Sequence, residues 1–324
     1  MILVTISLLL FNANKLNGAY VCTDEYTRLL KAHSLPHDEK KQKVFLENCN
    51  LINHHNSLVS TNDANALVLE PNYFAFMTDA EYKSHLKYKV SKTVSQGNMK
   101  NCTSKRSSIN WVEENAVLPI KNQGQCGSCW AFSATGAIES AYFIKNKKLI
   151  KLSEQELVDC CTNSSKGCSG GEMNDAFQYA IKNGLHENID YPYKAEDQEC
   201  KKIHANSTKV YIKKYCEVPT GKSQCLFSAI ERGPTSIAID ASNYKFRFYK
   251  NGIFRCSGTP DLDHGVIAVG FYKGLFNFNS YYLVRNSWGT SWGLNGYIKI
   301  SASDSKSCGA TLSASFPLFG NDNC

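Results

Sequence analysis

The rhythm of apolar positions divides this chain into a helix-rich first half and a strand-rich second half. From Tyr20 to about Lys89 the sequence is poor in glycine, and Phe45, Asn48, Ile52 and Asn56 recur at three- and four-residue steps on one helix face. Ser91 to Ser108 is polar and basic without apolar periodicity, which predicts an exposed, cleavable linker and a domain boundary. A helix is expected from Cys129 to about Lys145, because Trp130, Phe132, Ala137, Ile138, Ala141, Tyr142 and Ile144 return on one face. Another begins at Ser153, where Ser153-Glu-Gln-Glu156 has the capping-box pattern, each side chain satisfying one orphaned backbone donor. A third covers about Met173 to Lys182 and stops before Gly184, a residue suited to the position just past a helix end. The pattern then becomes strand-like in Thr235–Ile239, Gly265–Phe271, Tyr281–Arg285 and Tyr297–Ile300, between Gly, Asn and Ser turns. Helices followed by strands imply an α+β protein of two packed lobes with a cleft where they meet.

Composition adds compartment and excludes some partners. The chain has 324 residues, 43% hydrophobic and 20% charged, enough to bury a core. Its 36 Lys+Arg and 29 Asp+Glu are spread over both halves, without like-charge runs or basic residues interleaved with aromatics, so nucleic acid is not an expected partner. Fourteen cysteines point to an oxidising compartment, where disulfides persist. Met1 to Phe11 is mainly apolar but shorter than the roughly 20 residues of a membrane span, and small residues follow at Asn17-Gly18-Ala19. This predicts a signal peptide over residues 1–19 and no membrane span. Glycosylation acceptors at Asn101, Asn163 and Asn206 agree with the secretory pathway.

Candidate chemistry centres on Gln123-Gly-Gln-Cys-Gly-Ser-Cys-Trp-Ala-Phe132. A cysteine attacks as thiolate, and the partial positive charge at a helix N-terminus favours that form; Cys129 stands at the start of the expected helix. Alone, the Cys-X-X-Cys motif also fits a disulfide, a buried small side chain, a redox pair or half of a zinc site. Leu262-Asp-His264-Gly265 and Arg285-Asn286-Ser-Trp288-Gly289 narrow the choice, since a thiol nucleophile needs a base and the base an orienting group. His264 lies 135 residues after Cys129 and Asn286 157 after it, close to the roughly 130–150 expected of partners on an opposite lobe. A zinc site lacks a second Cys-X2-Cys or His-X3-5-His pair, so no metal or cofactor is expected.

Through Cys126-Gly-Ser-Cys-Trp130, His264 and Asn286-Ser-Trp288, residues from about Ile109 to Phe319 resemble the papain-family cysteine proteases, and the whole chain resembles their preproenzyme. The resemblance implies a papain-like two-lobe fold, with a helical left lobe and a β-barrel-like right lobe, preceded by a mainly helical inhibitory propeptide. Residues 20–101 would be the propeptide and 102–324 the peptidase domain. By the same resemblance Cys129 is the nucleophile, His264 the acid/base and Asn286 the orienting group. Gln123 and the Cys129 N–H form the oxyanion hole, and Trp288 covers the His–Asn bond. The implied function is a cysteine endopeptidase made as a zymogen, acting through a Cys129 thiolate/His264 imidazolium pair. The Cys168–Cys200 stretch shows no insertion that would block one end of the cleft, as an exopeptidase requires. Gly170 and Gly171 would line the cleft. Met173, Ala238 and Ser313 would form the pocket for the second side chain upstream of the scissile bond, favouring Leu, Phe or Val over Arg, and Asp263 would tune the site. Implied partners are protein and peptide substrates, the chain's own propeptide and cystatin-type inhibitors, for a monomer that is secreted or lysosomal/vacuolar.

The resemblance also implies disulfides Cys126–Cys168, Cys160–Cys200 and Cys256–Cys308, and, as in mite-allergen members, Cys102–Cys216. Cys22, Cys49, Cys161, Cys225 and Cys324 stay unassigned. In the N-terminal region, Phe45-X2-Asn48-X3-Ile52-X3-Asn56 and Asn72-X-Phe74-Ala-Phe76 match the family's propeptide motifs. Lys41, His37 and Phe76 stand where the family usually has Arg, Glu and Asp, so carboxylates that acid would discharge are missing. Activation is expected by a cut between about Val90 and Ser108. Two other classes fit less well: a disulfide oxidoreductase would carry its motif after a strand of a βαβ unit, and a non-catalytic protein on this fold would show a broken catalytic set.

Overall fold

Helices α1 (Cys22–Ala32) and α2 (Glu39–Ser57) open the N-terminal domain, with Asp38 capping α2 by accepting the Lys41 N–H at 2.9 Å. Phe45, Cys49 and Ile52 are buried on the expected face of α2. The asparagines on that face bind backbone: Asn48 Nδ2 donates to the Ala75 and Met77 carbonyls (2.9 and 3.0 Å), while Asn56 brackets both main-chain groups of Leu69. They thereby fasten the chain that leads through the turn Tyr73–Phe76 into α3 (Asp79–Ser84). The computed structural model describes residues 15–16, 18–60, 62–88, 97–162, 164–203, 207–275 and 279–324. The apolar run Met1–Phe11 and the acceptors Asn163 and Asn206 lie outside them.

The helical lobe holds α4 (Cys129–Asn146), α5 (Glu154–Cys160) and α6 (Met173–Lys182). From Cys129 to Ser140 every residue of α4 is buried, so this helix is a central one and its apolar face is not a single stripe. Ser153 caps α5 by accepting the Glu156 N–H, but the reciprocal half of the expected capping box is absent. Glu156 turns instead to the backbone and ring of buried His186 (2.8 and 3.0 Å), and the Ser153 N–H goes to the His186 carbonyl. A buried histidine competes successfully for the carboxylate because its own donors need partners.

The second lobe is built on an eight-stranded sheet: β1 (Ser108–Asn110), β2 (Lys214–Glu217), β3 (Thr235–Ile239), β4 (Ile253–Phe254), β5 (His264–Tyr272), β6 (Tyr281–Arg285), β7 (Tyr297–Ser301) and β8 (Ala314–Leu318). The path runs β4-β7-β6-β5-β3-β8-β2, with β1 added to β5; only the β4–β7 pair is parallel. The path does not close on itself, so the barrel-like lobe expected from the resemblance is an open sheet. Gly270 admits β1, since a Cβ there would strike the Ile109 carbonyl oxygen. Helix α4 packs on β5, where Ser133 Oγ donates to the Val266 carbonyl at 2.7 Å and joins the two lobes. On the same lobe lie α7 (Ser223–Arg232) and the single turn α8 (Tyr244–Arg247).

Cys126–Cys168, Cys160–Cys200 and Cys256–Cys308 are bonded. The expected Cys102–Cys216 bond is corrected: Cys102 is bonded to Cys225 on α7, and Cys216 on β2 to the C-terminal Cys324. Cys22–Cys49 ties α1 to α2, leaving Cys129 and Cys161 as free thiols. The linker also differs from expectation over its described part. Met99 is buried, the Asn98 and Met99 amides both reach the Glu217 carbonyl, and Cys102 is anchored, so one apolar residue and one cysteine pin residues 97–102 to the lobe.

Candidate active site

Cys129 is the first residue of α4 and its side chain is fully buried. The Gly265 N–H approaches its sulfur to 3.4 Å, and the amides of Trp130 and Lys87 also face it. Gly265 follows His264 at the start of β5, so this contact sets His264 against the first turn of α4. His264 Nε2 bonds Asn286 Oδ1 at 2.8 Å, and the same oxygen accepts the Ser287 N–H at 2.8 Å. An atom that accepts from a backbone amide is the oxygen; Nε2 is therefore the donor, and Nδ1 is the basic nitrogen of the neutral ring. Nδ1 is buried and has no hydrogen-bond partner among the described residues. Trp288 stacks on the imidazole at 4.7 Å and 26° between planes, which keeps water from the His–Asn bond.

Gln123 is pinned on three sides. Its N–H reaches the Ser287 carbonyl (2.9 Å), its Oε1 accepts from Ser287 Oγ (2.6 Å) and its Nε2 donates to the Cys126 carbonyl (2.9 Å). An amide nitrogen has two hydrogens, so one remains for a ligand. Tyr193 supports this loop, with its hydroxyl donating to the Gln123 carbonyl (2.7 Å) and lying 2.6 Å from Ser128 Oγ.

The cleft is filled by the N-terminal domain's own chain. Tyr88 pairs with Gly171 and its N–H donates to the Asp263 carbonyl at 2.9 Å, bridging the lobes. A Cβ on Gly170, whose φ is +104°, would fall on the Lys87 carbonyl oxygen. The Tyr88 side chain is buried in one cluster with Met173 and Ala238, and its hydroxyl lies 3.1 Å from Ser313 Oγ. It thus fills the position expected for a substrate side chain. A groove of about 760 Å³ continues from Tyr88 past Ser313, and Glu172, Asp175, Glu217 and Asp261 line it.

Enclosure sets the protonation states. Burial pushes the Cys129 thiol up to about 11, against the amides that favour its thiolate, and drives His264 down to about 4. The closed site therefore holds a neutral thiol and a neutral imidazole. Burial also lifts Asp263 to about 7 although its carboxylate accepts the Ala241 N–H, and lifts Glu172 to about 7, with Asp175 and Glu217 adding to the rise.

Residues 105–318 match the profile of the papain family cysteine proteases, and residues 27–82 match the cathepsin propeptide inhibitor domain. The chain belongs to the papain family of cysteine proteases. It is 39% identical to rat procathepsin L over 294 residues, covering 87% of this chain and 86% of that one. It is 41% identical to cysteine proteinase RD21A of Arabidopsis thaliana over 305 residues, or 90% of this chain and 64% of that longer protein. Among solved structures it resembles the proform of Amb a 11, a ragweed pollen cysteine protease allergen, with TM-score 0.81, 31% identity and coverage of 93% and 95%. The N-terminal domain of this papain-family zymogen is accordingly its inhibitory propeptide.

Sequence reasoning missed Ser287 and Tyr193, which hold Gln123, and the acidic residues along the groove. It also missed Lys87 and Tyr88 as the cleft occupants; a tyrosine at the end of the propeptide's helical pattern was the available signal. Among the described residues no three His, Cys, Asp or Glu side chains converge as a metal site, and no helix is long and apolar enough to cross a membrane.

Proposed function

We propose that the chain is the zymogen of a cysteine endopeptidase in which Cys129 attacks the peptide carbonyl. The observation that carries this is the unpartnered Nδ1 of His264, on a ring whose other nitrogen is held by Asn286 and whose following amide touches the Cys129 sulfur. Departure of the propeptide returns water to the cleft and removes the burial that keeps both groups neutral. The Cys129 proton then passes to His264 Nδ1, and the resulting imidazolium and the N-terminus of α4 stabilise the thiolate. Attack places negative charge on the carbonyl oxygen, which the free Gln123 Nε2–H and the Cys129 N–H receive; a donor of this kind contributes about 3–4 kcal/mol. His264 gives its proton to the leaving amine, and water releases the acyl group from Cys129.

The pocket of Met173, Ala238 and Ser313 favours Leu, Phe or Val at the second upstream position. Glu172, which Asp175 and Glu217 hold toward its neutral form, leaves that preference intact at low pH. Maturation cuts within the stretch from Val90 to Ser108, and a cut before Gly97 leaves the pinned residues 97–102 with the enzyme. The exposed Asn101 would carry glycan on a secreted or lysosomal/vacuolar monomer that cystatin-type inhibitors recognise. The test is hydrolysis of a fluorogenic Phe-Arg peptide under reducing conditions at about pH 5.5. Processed wild type is expected to be active and processed Cys129→Ser inert; activity in the variant would reject the assignment.

A further inference from the structure

The two donors of the oxyanion hole proposed above stand on different segments, Gln123 on a loop and the Cys129 N–H on the first turn of α4. The Ser287 bonds tie Gln123 to the second lobe and the Cys126 bond stays within its own loop, so neither holds it against the helix. Tyr193 does. Its single hydroxyl proton goes to the Gln123 carbonyl at 2.7 Å, because a carbonyl can only accept, and Ser128 Oγ at 2.6 Å is therefore the donor to Tyr193 Oη. Ser128 is the wholly buried N-cap of α4, directly before Cys129. A serine in that place commonly accepts an amide of the first turn, but this one makes no such cap. The Trp130 N–H that it could take faces the Cys129 sulfur instead. Tyr193 is itself firmly mounted. Ser153 Oγ donates to the Tyr191 carbonyl (2.6 Å) and Gln155 Oε1 accepts the Lys194 N–H (2.8 Å), so two wholly buried residues at the start of α5 bracket the tyrosine's backbone. The Phe132 ring meets it edge-on at 4.9 Å and 84°. Burial raises its phenol, which stays a donor through neutral pH.

We propose that Tyr193 is a positioning residue for peptide hydrolysis: the chain of bonds from Ser128 Oγ through Tyr193 Oη to the Gln123 carbonyl sets the spacing between the Gln123 Nε2–H and the Cys129 N–H, so that both reach one carbonyl oxygen. This rests on the protease reading above. An oxyanion hole works because its donors already stand about 2.7–3.1 Å from the place where charge will appear. Misplacing one of them by about 1 Å costs up to about 100-fold in rate, and the tyrosine hydroxyl is what holds the Gln123 main chain to the residue before the nucleophile. Tyr193 acts through Gln123 and not on the reacting atoms. Thiolate formation draws on His264 and the α4 N-terminus, not on the Gln123 carbonyl, so the charge state of Cys129 is independent of this chain of bonds.

The test is Tyr193→Phe, which removes the hydroxyl and keeps the ring against Phe132. Wild type and variants are made as the full chain, cut by the same added protease and counted by alkylation of Cys129 with iodoacetamide, located by peptide mass so that Cys161 is counted separately. On the Phe-Arg peptide kcat is expected to fall about 10- to 30-fold with KM unchanged within about twofold. Alkylation forms no oxyanion, so its rate should stay within about twofold of wild type from about pH 5 to 8. Gln123→Ala is expected to cost about 100- to 1000-fold in kcat. Adding Tyr193→Phe to it should cost no more than about twofold further, because the donor that the tyrosine places is gone. A loss below about threefold in Tyr193→Phe, an alkylation rate that falls as far as kcat does, or a double variant in which the two losses multiply would overturn the proposal. Ser128→Ala, which leaves Tyr193 on Gln123 but cuts its link to the helix, should lower kcat a few-fold and likewise add nothing to Gln123→Ala; no change in it would also count against the proposal. Alkylation needs no peptide hydrolysis, so an error in the protease reading appears separately, as processed wild type that alkylates but does not cut.

Discussion

In the cleft, Lys87 and Tyr88 meet the enzyme through main chain and through the buried Tyr88 side chain, and the groups beneath them are Cys129 and His264, whose charge states depend on being covered. At α8 the propeptide meets a fixed charge, Arg247, through main-chain carbonyls that do not titrate. One contact is therefore sensitive to pH and the other is not.

The largest way to break this contrast is Gly170→Ala. The added Cβ collides with the Lys87 carbonyl and is strained by the positive φ. It should open the cleft of the uncut chain by about 100-fold in Cys129 alkylation and lower kcat/KM of the processed enzyme by about tenfold, as substrate backbone meets the same obstacle.

Acid comes next. His264 is held down near 4 in the closed form, whereas an exposed histidine titrates near its ordinary value, about 6.5. Opening to the thiolate/imidazolium pair moves the Cys129 proton onto His264 and takes none from solution, so closure loses ground to acid only where the open thiolate is itself protonated, by at most tenfold per unit. Alkylation of uncut wild type, corrected for the reagent's own pH dependence on processed enzyme, should therefore be flat through the ordinary histidine range and rise only in stronger acid. A rise that begins at about 6.5 would show that the open site is not an ion pair.

The smallest effect concerns the groove. Under the propeptide burial lifts Glu172 to about 7; in the processed enzyme that cover is gone but Asp175 and Glu217 still hold it up, so cleavage of peptides with Arg at the second upstream position should improve a few-fold relative to Leu from pH 5.5 to 8, and Glu172→Gln should abolish the improvement. Paired peptides assayed at both pH values decide it.

Regions whose periodicity coincides with burial were legible in the sequence. Tyr281–Arg285 and Met173–Lys182 have the expected bounds, and the run from Gly265 gained only His264 and Tyr272 at its ends. The cysteine pairing near the chain's ends was not, because Cys102, Cys216, Cys225 and Cys324 meet through the packing of β2, α7 and the C-terminus, which no spacing encodes. Arg247 was invisible for a related reason: a single arginine between Phe246 and Phe248 gives no sign of its partners until the turn that covers it is placed. Cys129, His264 and Asn286 stood out because their chemistry demands those residue types, and Gln123 through the family resemblance; Ser287 did not, since a serine beside an asparagine carries no such demand.

The central claim is that the covered dyad is neutral and becomes charged when the propeptide leaves. Nitrogen NMR of the His264 ring tests it most directly, comparing the uncut chain with the processed enzyme at about pH 6, near the ordinary histidine value. The account predicts a neutral ring protonated on Nε2 in the uncut chain and an imidazolium in the processed enzyme. An imidazolium already present in the uncut chain would contradict it.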